Sequence, residues 1–357
     1  MATLVEFKCP GCGGALSFDS DTQMMKCPYC DAEFDVKAIQ SIQEEATQED
    51  DMEWTSLSGN TWQEDEEKEL VSYFCNSCAG TIVTETTTAA TSCPYCGNAV
   101  VMSDNVSGSL RPDCVIPFQL TRDDALAALK KHLSGKVLLP KQFKTDHHIQ
   151  EVKGVYVPFW LFDAHARGQA RYRTTRVRTW STNRYIYTET RHYSVYRAGE
   201  MDFEAVPVDG SVKMANDLME SLEPFDVSRA VDFQTPYLAG YYADKYDVDA
   251  KDSVPRANDR IRTTSECTLR STVLGYDTVR TVSCNIQLSD NKAHYALYPV
   301  WLLQTWYKGE IYHFAMNGQT GKLVGDLPVS WGRFFGWWAG LSVGIAGLCL
   351  GLTWLFG

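Results

Sequence analysis

Apolar and polar positions change rhythm several times along the chain. From Thr121 they read as a helix: Thr121 can cap it, Asp123 and Asp124 sit in the first turn, Leu126, Leu129 and Leu133 mark one face, and Gly135 ends it. Val155 to Phe162, Gln169 to Val177 and Tyr185 to Tyr196 alternate and are rich in β-branched and aromatic residues, so they predict antiparallel strands, with Trp180-Ser-Thr-Asn183 as a hairpin connection. Met214, Leu218 and Leu222 recur at four-residue spacing and predict a helix over Val212 to Leu222, and Pro255 opens another through Ile261, Cys267 and Leu269. Val279 to Leu288, His294 to Tyr307 and Glu310 to Met316 predict a meander. There Asn317-Gly318 supplies the positive-φ residues of a tight hairpin before Gly321 to Val324. Tyr156-Val-Pro-Phe-Trp-Leu161 and Tyr298-Pro-Val-Trp-Leu302 echo each other, as two related half-domains would.

The final stretch has a different character. Phe334 to Gly357 contains 24 residues without a charge, against about 20 needed to cross a bilayer core. Gly336, Gly340 and Gly344 recur every four residues, Gly347 and Gly351 repeat the spacing, and Trp331, Trp337, Trp338 and Trp354 lie near the ends. The pattern predicts one transmembrane helix over 331–357, with a glycine face open to homo-oligomerisation. Lys322 and Arg333 precede it and no basic residue follows, which places the N-terminal domains in the cytoplasm of a tail-anchored, single-pass protein of the cell membrane.

Cysteines supply the clearest chemistry. Cys9-Pro-Gly-Cys12 is followed after 14 residues by Cys27-Pro-Tyr-Cys30, and Cys75-Asn-Ser-Cys78 is followed after 14 residues by Cys93-Pro-Tyr-Cys96. Each set offers four thiolates across a loop long enough for a short hairpin, the spacing of a zinc ribbon. Two structural zinc ions are expected on Cys9, Cys12, Cys27 and Cys30 and on Cys75, Cys78, Cys93 and Cys96. Four protein ligands close such a site, leaving no position for a catalytic water. Gly13-Gly14 and Gly97 follow the knuckles, where a tight turn can aim backbone N–H groups at the sulfurs.

The 357 residues, 44% hydrophobic and 22% charged, suffice for more than one domain and exclude collagen-like, disordered and disulfide-scaffold classes. Between Asp31 and Phe74 stand fourteen acids and two lysines, which accounts for the whole formal net charge of −12. Gln40 to Leu70 therefore reads as an acidic disordered linker in which Trp54, Leu57 and Trp62 are the large apolar residues. The expected domains are ribbon 1 (1–39), the linker (40–70), ribbon 2 (71–106), a β-rich antiparallel α+β domain (107–330) and the membrane helix (331–357).

The enzymatic motifs GxxxxGK[ST] and HExxH are absent, and no GxGxxG follows a strand. His147-His148 beside Asp146 reads as a surface pair, and Cys114, Cys267, Cys284 and Cys349 as small buried hydrophobes. Arg171, Arg173, Arg176, Arg178 and Arg184 form a basic stripe. It suits an anionic partner such as lipid head groups, an acidic protein or, with Trp180 and Tyr185, single-stranded nucleic acid.

The two ribbons, Tyr156 to Phe162, Val206-Pro-Val-Asp-Gly-Ser211, Glu223-Pro-Phe225, Tyr237-Leu-Ala-Gly240, Ala243-Asp-Lys-Tyr246 and Asn317 to Lys322 together resemble a bacterial family of membrane-anchored, transcription-factor-IIB-type zinc-ribbon proteins. In some bacteria such a protein accompanies phage-shock-type and SPFH (flotillin-like) membrane-stress proteins. The resemblance implies a non-enzymatic adaptor recruiting cytoplasmic or membrane-associated proteins in envelope stress, and it transfers only the eight ribbon cysteines as binding residues. A nucleic-acid-binding protein held at the membrane is the alternative.

Overall fold

A computed structural model describes residues 7–10, 14–40, 52–54, 56–57, 60–86, 90, 92–103, 110–140, 143, 149–308 and 310–356. The chain divides into two units. Unit 1 comprises 1–57, 162–206 and 254–293, and unit 2 comprises 58–161, 207–253 and 294–357.

Unit 1 begins with ribbon 1, whose strands β1 (Ser17–Asp19), β2 (Met24–Lys26) and β3 (Glu33–Phe34) form a three-stranded antiparallel sheet of their own. Short β4 (Ser56–Leu57) belongs to the same unit. Two very long strands follow later in the sequence, β9 (Ile149–Ser181) and β10 (Ile186–Asp209). The three strands expected over Val155 to Phe162, Gln169 to Val177 and Tyr185 to Tyr196 are two: β9 runs unbroken through the first two, and β10 takes up the third from Ile186. At Gly168 the side-chain ends of Met201, Leu269 and Ile286 stand 3.0–3.2 Å from where a Cβ would be, a tight fit within the strand. The connection is Thr182 to Tyr185, closed by Thr182 N–H to the Tyr185 carbonyl at 2.8 Å.

Helix α4 (Ala250–Ser271) starts earlier than Pro255 suggests and leaves that proline in its second turn. With α4, Ala164, Ala166, Ile261 and Ile286 form one core cluster, and Ala170, Tyr172, Leu269 and Val273 another. The segment expected as a tether contributes here. Met52 is buried in the first cluster, Trp54 Nε1 donates to Asn258 Oδ1 at 2.8 Å, and the Trp54 ring meets Phe162 edge-on at 4.8 Å. Large apolar side chains in an acidic segment gain by burial, which offsets the cost of ordering the chain.

Unit 2 is built on β5 (Leu70–Phe74), β6 (Thr81–Glu85), β7 (Val101–Ser103), β8 (Cys114–Val115), β11 (Val231–Asp232), β12 (Tyr242–Asp244) and its share of β9 and of β13 (Thr278–Tyr307). The sheet order is β11-β8-β13-β9-β12-β6-β5-β7, and β14 (Glu310–Asn317) with β15 (Leu323–Gly325) extends from β13. The two echoing segments fall on the neighbouring strands β9 and β13, where the Phe159 and Tyr298 rings stack at 4.4 Å. Helix α2 (Arg122–Leu133) runs from a Thr121 cap as expected, with a reciprocal Asp124 capping box, and covers Trp301, Leu303 and Phe314. The positive φ of the β14–β15 loop lies at Gly321 (+77°) and not at Asn317-Gly318, because five residues rather than two join these strands.

In the linker's second half, α1 (Glu64–Glu69) is fixed by Arg111, whose guanidinium donates to Glu66 at 2.8–3.0 Å, and Trp62 meets Phe233 edge-on at 5.7 Å. Helix α3 (Asn216–Leu222) occupies the C-terminal part of the helix expected over Val212 to Leu222.

The C-terminal helix corrects the expected fold class. α5 (Trp331–Phe356) has 26 residues, but among the described residues no helix is long and apolar enough to cross a membrane. Arg333 in its first turn, the tryptophans and the repeated glycines dilute its aliphatic residues. The transmembrane helix, the tail anchor and the single-pass placement at the cell membrane are withdrawn with it. What stands is a mixed α+β fold with N-terminal cysteine clusters and a large β-sheet. Arg333 donates to the carbonyls of Val137 and Leu139 at 3.3 and 2.6 Å, tying the helix to the loop after α2.

Candidate metal centres

Two groups of thiols converge. Cys75, Cys78, Cys93 and Cys96 place their sulfurs within 4.8 Å of one another, and so do Cys9, Cys27 and Cys30. Cys12, the expected fourth ligand of ribbon 1, lies outside the described residues, as do His147 and His148. Sulfur–sulfur distances are 3.5 Å for Cys75–Cys96, 3.6 Å for Cys78–Cys93 and 3.6 Å for Cys9–Cys30. A tetrahedral zinc with Zn–S bonds of about 2.3 Å separates its sulfurs by roughly 3.8 Å, close to the spacing of these three pairs. Both clusters can therefore bind a metal ion such as zinc.

The knuckle backbone follows from the turn residues. Cys75 N–H donates to the Gly80 carbonyl at 2.9 Å, Cys93 N–H to Asn98 at 2.7 Å and Cys9 N–H to Gly14 at 2.7 Å. Gly97, directly after Cys96, has φ +73°, and Asp31 holds the same position after Cys30 at φ +55°. Asn98 Nδ2 adds a donor to Cys96 Sγ at 3.5 Å. Burial works to raise the Cys75 pKa, but the N–H groups of Cys78 and Ser77 and the adjacent thiols outweigh it and leave it at about 7. Burial pushes the Cys78 and Cys93 thiols up instead, so within this cluster Cys75 gives up its proton most readily of the three.

The two ribbons sit in different surroundings. Ribbon 2 is continuous with the unit 2 sheet: β6 pairs with β12, which pairs in turn with β9. Gln304 Nε2 donates to the Pro94 and Tyr95 carbonyls at 2.8 and 2.9 Å, and Lys153 Nζ to the carbonyl and hydroxyl of Ser92 at 2.9 and 2.6 Å. Tyr95 is only 6% exposed, and Lys213 Nζ lies 5.7 Å from its ring centroid. Lys213 is itself ion-paired with Asp244 and, at 3.3 Å, with Asp247, while Ser211 Oγ donates to Asp244 at 2.8 Å. Burial acts to lower the Lys213 pKa, yet the two carboxylates outweigh it and hold it above the usual lysine value. No sequence signal marks Lys213 or Gln304, whereas Asp244 lies in the Ala243-Asp-Lys-Tyr246 segment that carries the resemblance. Tyr29 and Tyr95, repeated in the two Cys-Pro-Tyr-Cys knuckles, were the available signal.

The basic stripe is dispersed over the β9–β10 hairpin. Arg171 lies over Tyr196 at 5.7 Å, Arg176 over Tyr193 and Tyr276 at 5.8 and 5.1 Å, and Arg178 over Trp180 at 5.7 Å. Arg176 Nε also donates to the Gly275 carbonyl at 2.7 Å, Arg173 is half-buried and Arg184 is exposed near the tip. A cleft of about 690 Å³ in unit 2 is lined by Phe118, Lys153, Tyr241, Tyr242 and Trp301 among others, and no His, Cys, Asp or Glu lines it among the described residues. Burial, with Asp113 and Asp232, pushes the Cys114 thiol up to about 11, a value that suits a packing residue.

No protein-family model and no solved structure matches the chain. The chain is 36% identical over 341 residues to Uncharacterized protein YdjG of Bacillus subtilis (strain 168), an alignment that covers 96% of this chain and 95% of that one. Similarity over that extent makes the chain a member of the YdjG protein family.

Proposed function

We propose that the protein is a non-enzymatic zinc-ribbon scaffold that gathers partner proteins. Each cysteine cluster holds one structural zinc, with Cys12 completing the set in ribbon 1, and ribbon surfaces supply the contacts. The observation carrying this reading is the four-thiol cluster of Cys75, Cys78, Cys93 and Cys96, a ligand set that fills a tetrahedral ion and leaves no place for substrate. Two ribbons on one chain permit bivalent capture, in which a weak second contact gains from the first. The zinc-ribbon resemblance points to phage-shock-type and SPFH-type proteins as the partners. The test combines metal analysis with affinity purification of the full chain. Two zinc ions per chain and recovery of such partners, lost when the ribbon 1 cysteines are replaced by serine, support the scaffold. Unchanged recovery from that variant refutes a ribbon-based scaffold.

A second reading, binding of single-stranded nucleic acid, is favoured by the exposed Trp180, Tyr185 and Tyr187 beside Arg178 and Arg184. It requires affinity that falls steeply with salt. Salt-insensitive association would remove it.

A further inference from the structure

The two ribbons carry the same Cys-Pro-Tyr-Cys knuckle, and among the described residues only the tyrosine of ribbon 2 is packed into its own unit. In ribbon 2 the knuckle meets three things: the Gln304 carboxamide on its two carbonyls, Lys213 over the tyrosine ring, and the Asp244–Asp247 pair that fixes Lys213. The Lys213 stem also passes Gly80, with Cε 3.3 Å from where a Cβ would stand. In ribbon 1, Tyr29 is 75% exposed against 6% for Tyr95. The Pro28 and Tyr29 carbonyls accept no hydrogen bond among the described residues. Gly14 occupies the position matching Gly80, and the Tyr29 ring itself lies across it, with Cδ2 2.4 Å from where a Cβ would stand. The ring thus covers the spot that a lysine stem takes in ribbon 2. Phe18, on β1 of the same small sheet, is 54% exposed.

Charge narrows the occupant. Ser17 to Lys37 holds five acids, Asp19, Asp21, Asp31, Glu33 and Asp35, against Lys26 and Lys37, and Lys26 is paired with Glu33 at 3.2 Å. The surface around Tyr29 is therefore acidic and complements a cation. An exposed tyrosine face in such a field attracts an ammonium group.

We infer that ribbon 1 is the recruiting surface and that its Cys27–Cys30 knuckle receives a lysine-bearing, carboxamide-bearing patch of a partner protein, as Lys213 and Gln304 receive the matching knuckle of ribbon 2. Ribbon 2, in this assignment, has spent its knuckle inside its own unit. The inference rests on the scaffold reading and deepens it by naming the ribbon, the residue and the chemistry of the partner.

The experiment uses the full-length, zinc-loaded protein in its own host cells, with a lysine-reactive tyrosine analogue at position 29. The expected result is a covalent adduct on a lysine of another protein. Recovery of that same protein should fall at least tenfold with Tyr29→Ala and stay within about twofold with Tyr29→Phe, which keeps the ring, at unchanged zinc content. If Tyr29→Ala recovers the partner undiminished while serine replacement of the ribbon 1 cysteines loses it, another face of ribbon 1 recruits. The inference then fails and the scaffold reading survives. If both variants recover the same proteins, both fail. An adduct confined to this chain, or formed on a second copy of it, also overturns the assignment, the latter in favour of self-association.

Discussion

Lys213→Met is the most demanding perturbation of the ribbon 2 seat. The side chains of Lys213 and Asp244 are 4% and 0% exposed, so removing the ammonium strands a carboxylate that water does not reach. Breaking a buried ion pair on one side costs about 3–5 kcal/mol, mostly through the partner left behind. At about 1.4 kcal/mol per factor of ten, that is two to four powers of ten in the opening equilibrium of unit 2. Amide hydrogen exchange at Val155, Tyr156 and Val157 measures it locally, because the backbone at Val155 and Tyr156 faces Tyr242 and Ala243 in β12, the strand that carries Asp244. The double variant Lys213→Met, Asp244→Asn removes both charges and should regain most of the lost protection. Ribbon 2 should also release its metal to a chelator faster in the single variant, since Lys213 packs on Tyr95 and along Gly80. Protection reduced by less than tenfold, or a double variant no better than the single one, would refute the assignment of Lys213 as the charge that holds this seat together.

Other expectations follow from the same geometry. Trp54→Ala removes an edge contact to Phe162 and a hydrogen bond to Asn258, and should cost about 2–3 kcal/mol in unit 1 by hydrogen exchange, whereas a free tether would show no change. His165 Nδ1 lies 2.6 Å from Asp202, whose hydrogen bond raises the imidazole pKa above 6.5 against the opposing effect of burial, with Glu200 and Asp290 adding to the rise. Its contribution is complete below pH 6.5 and fades as pH climbs through the raised value. An NMR titration should return toward 6.5 in Asp202→Asn. Gly318→Ala would bring a Cβ within 2.6 Å of Phe118 and 3.0 Å of Pro299, and about 1–3 kcal/mol of overpacking should appear in unit 2.

What could be read in advance was what local chemistry dictates. Cysteine spacing located both thiol clusters because ligand geometry constrains a short loop. Thr121 and Gly135 bracketed α2 to the residue because capping depends on near neighbours. Longer-range facts were hidden. No local pattern states that β9 runs unbroken through Gly168, or that Gln304 reaches a knuckle some two hundred residues earlier. The acidic linker misled for a related reason. Composition averages over the segment, while Trp54, Met52 and Trp62 each found a particular apolar site. The uncharged C-terminal run misled through the same averaging: absence of charge is not the same as a continuous aliphatic surface, and α5 alternates its aliphatic residues with glycine and tryptophan.

The placement of the seat late in the chain has a consequence for synthesis. Among the described residues the strand pairing of ribbon 1 closes within residues 8–34, so that ribbon can take a metal while the ribosome is still working. Ribbon 2 has its last thiol at Cys96, but Lys213, Asp244 and Gln304 are made much later. At translation rates of about 5–20 residues per second, Gln304 follows Cys96 by roughly 10–40 s. During that interval four thiols and the unseated Tyr95 are presented together, held by the local pairing of β5 with β6 and β7 and by any zinc ion bound early. Metal bound during translation would then add to that local pairing until the residues of the seat are made.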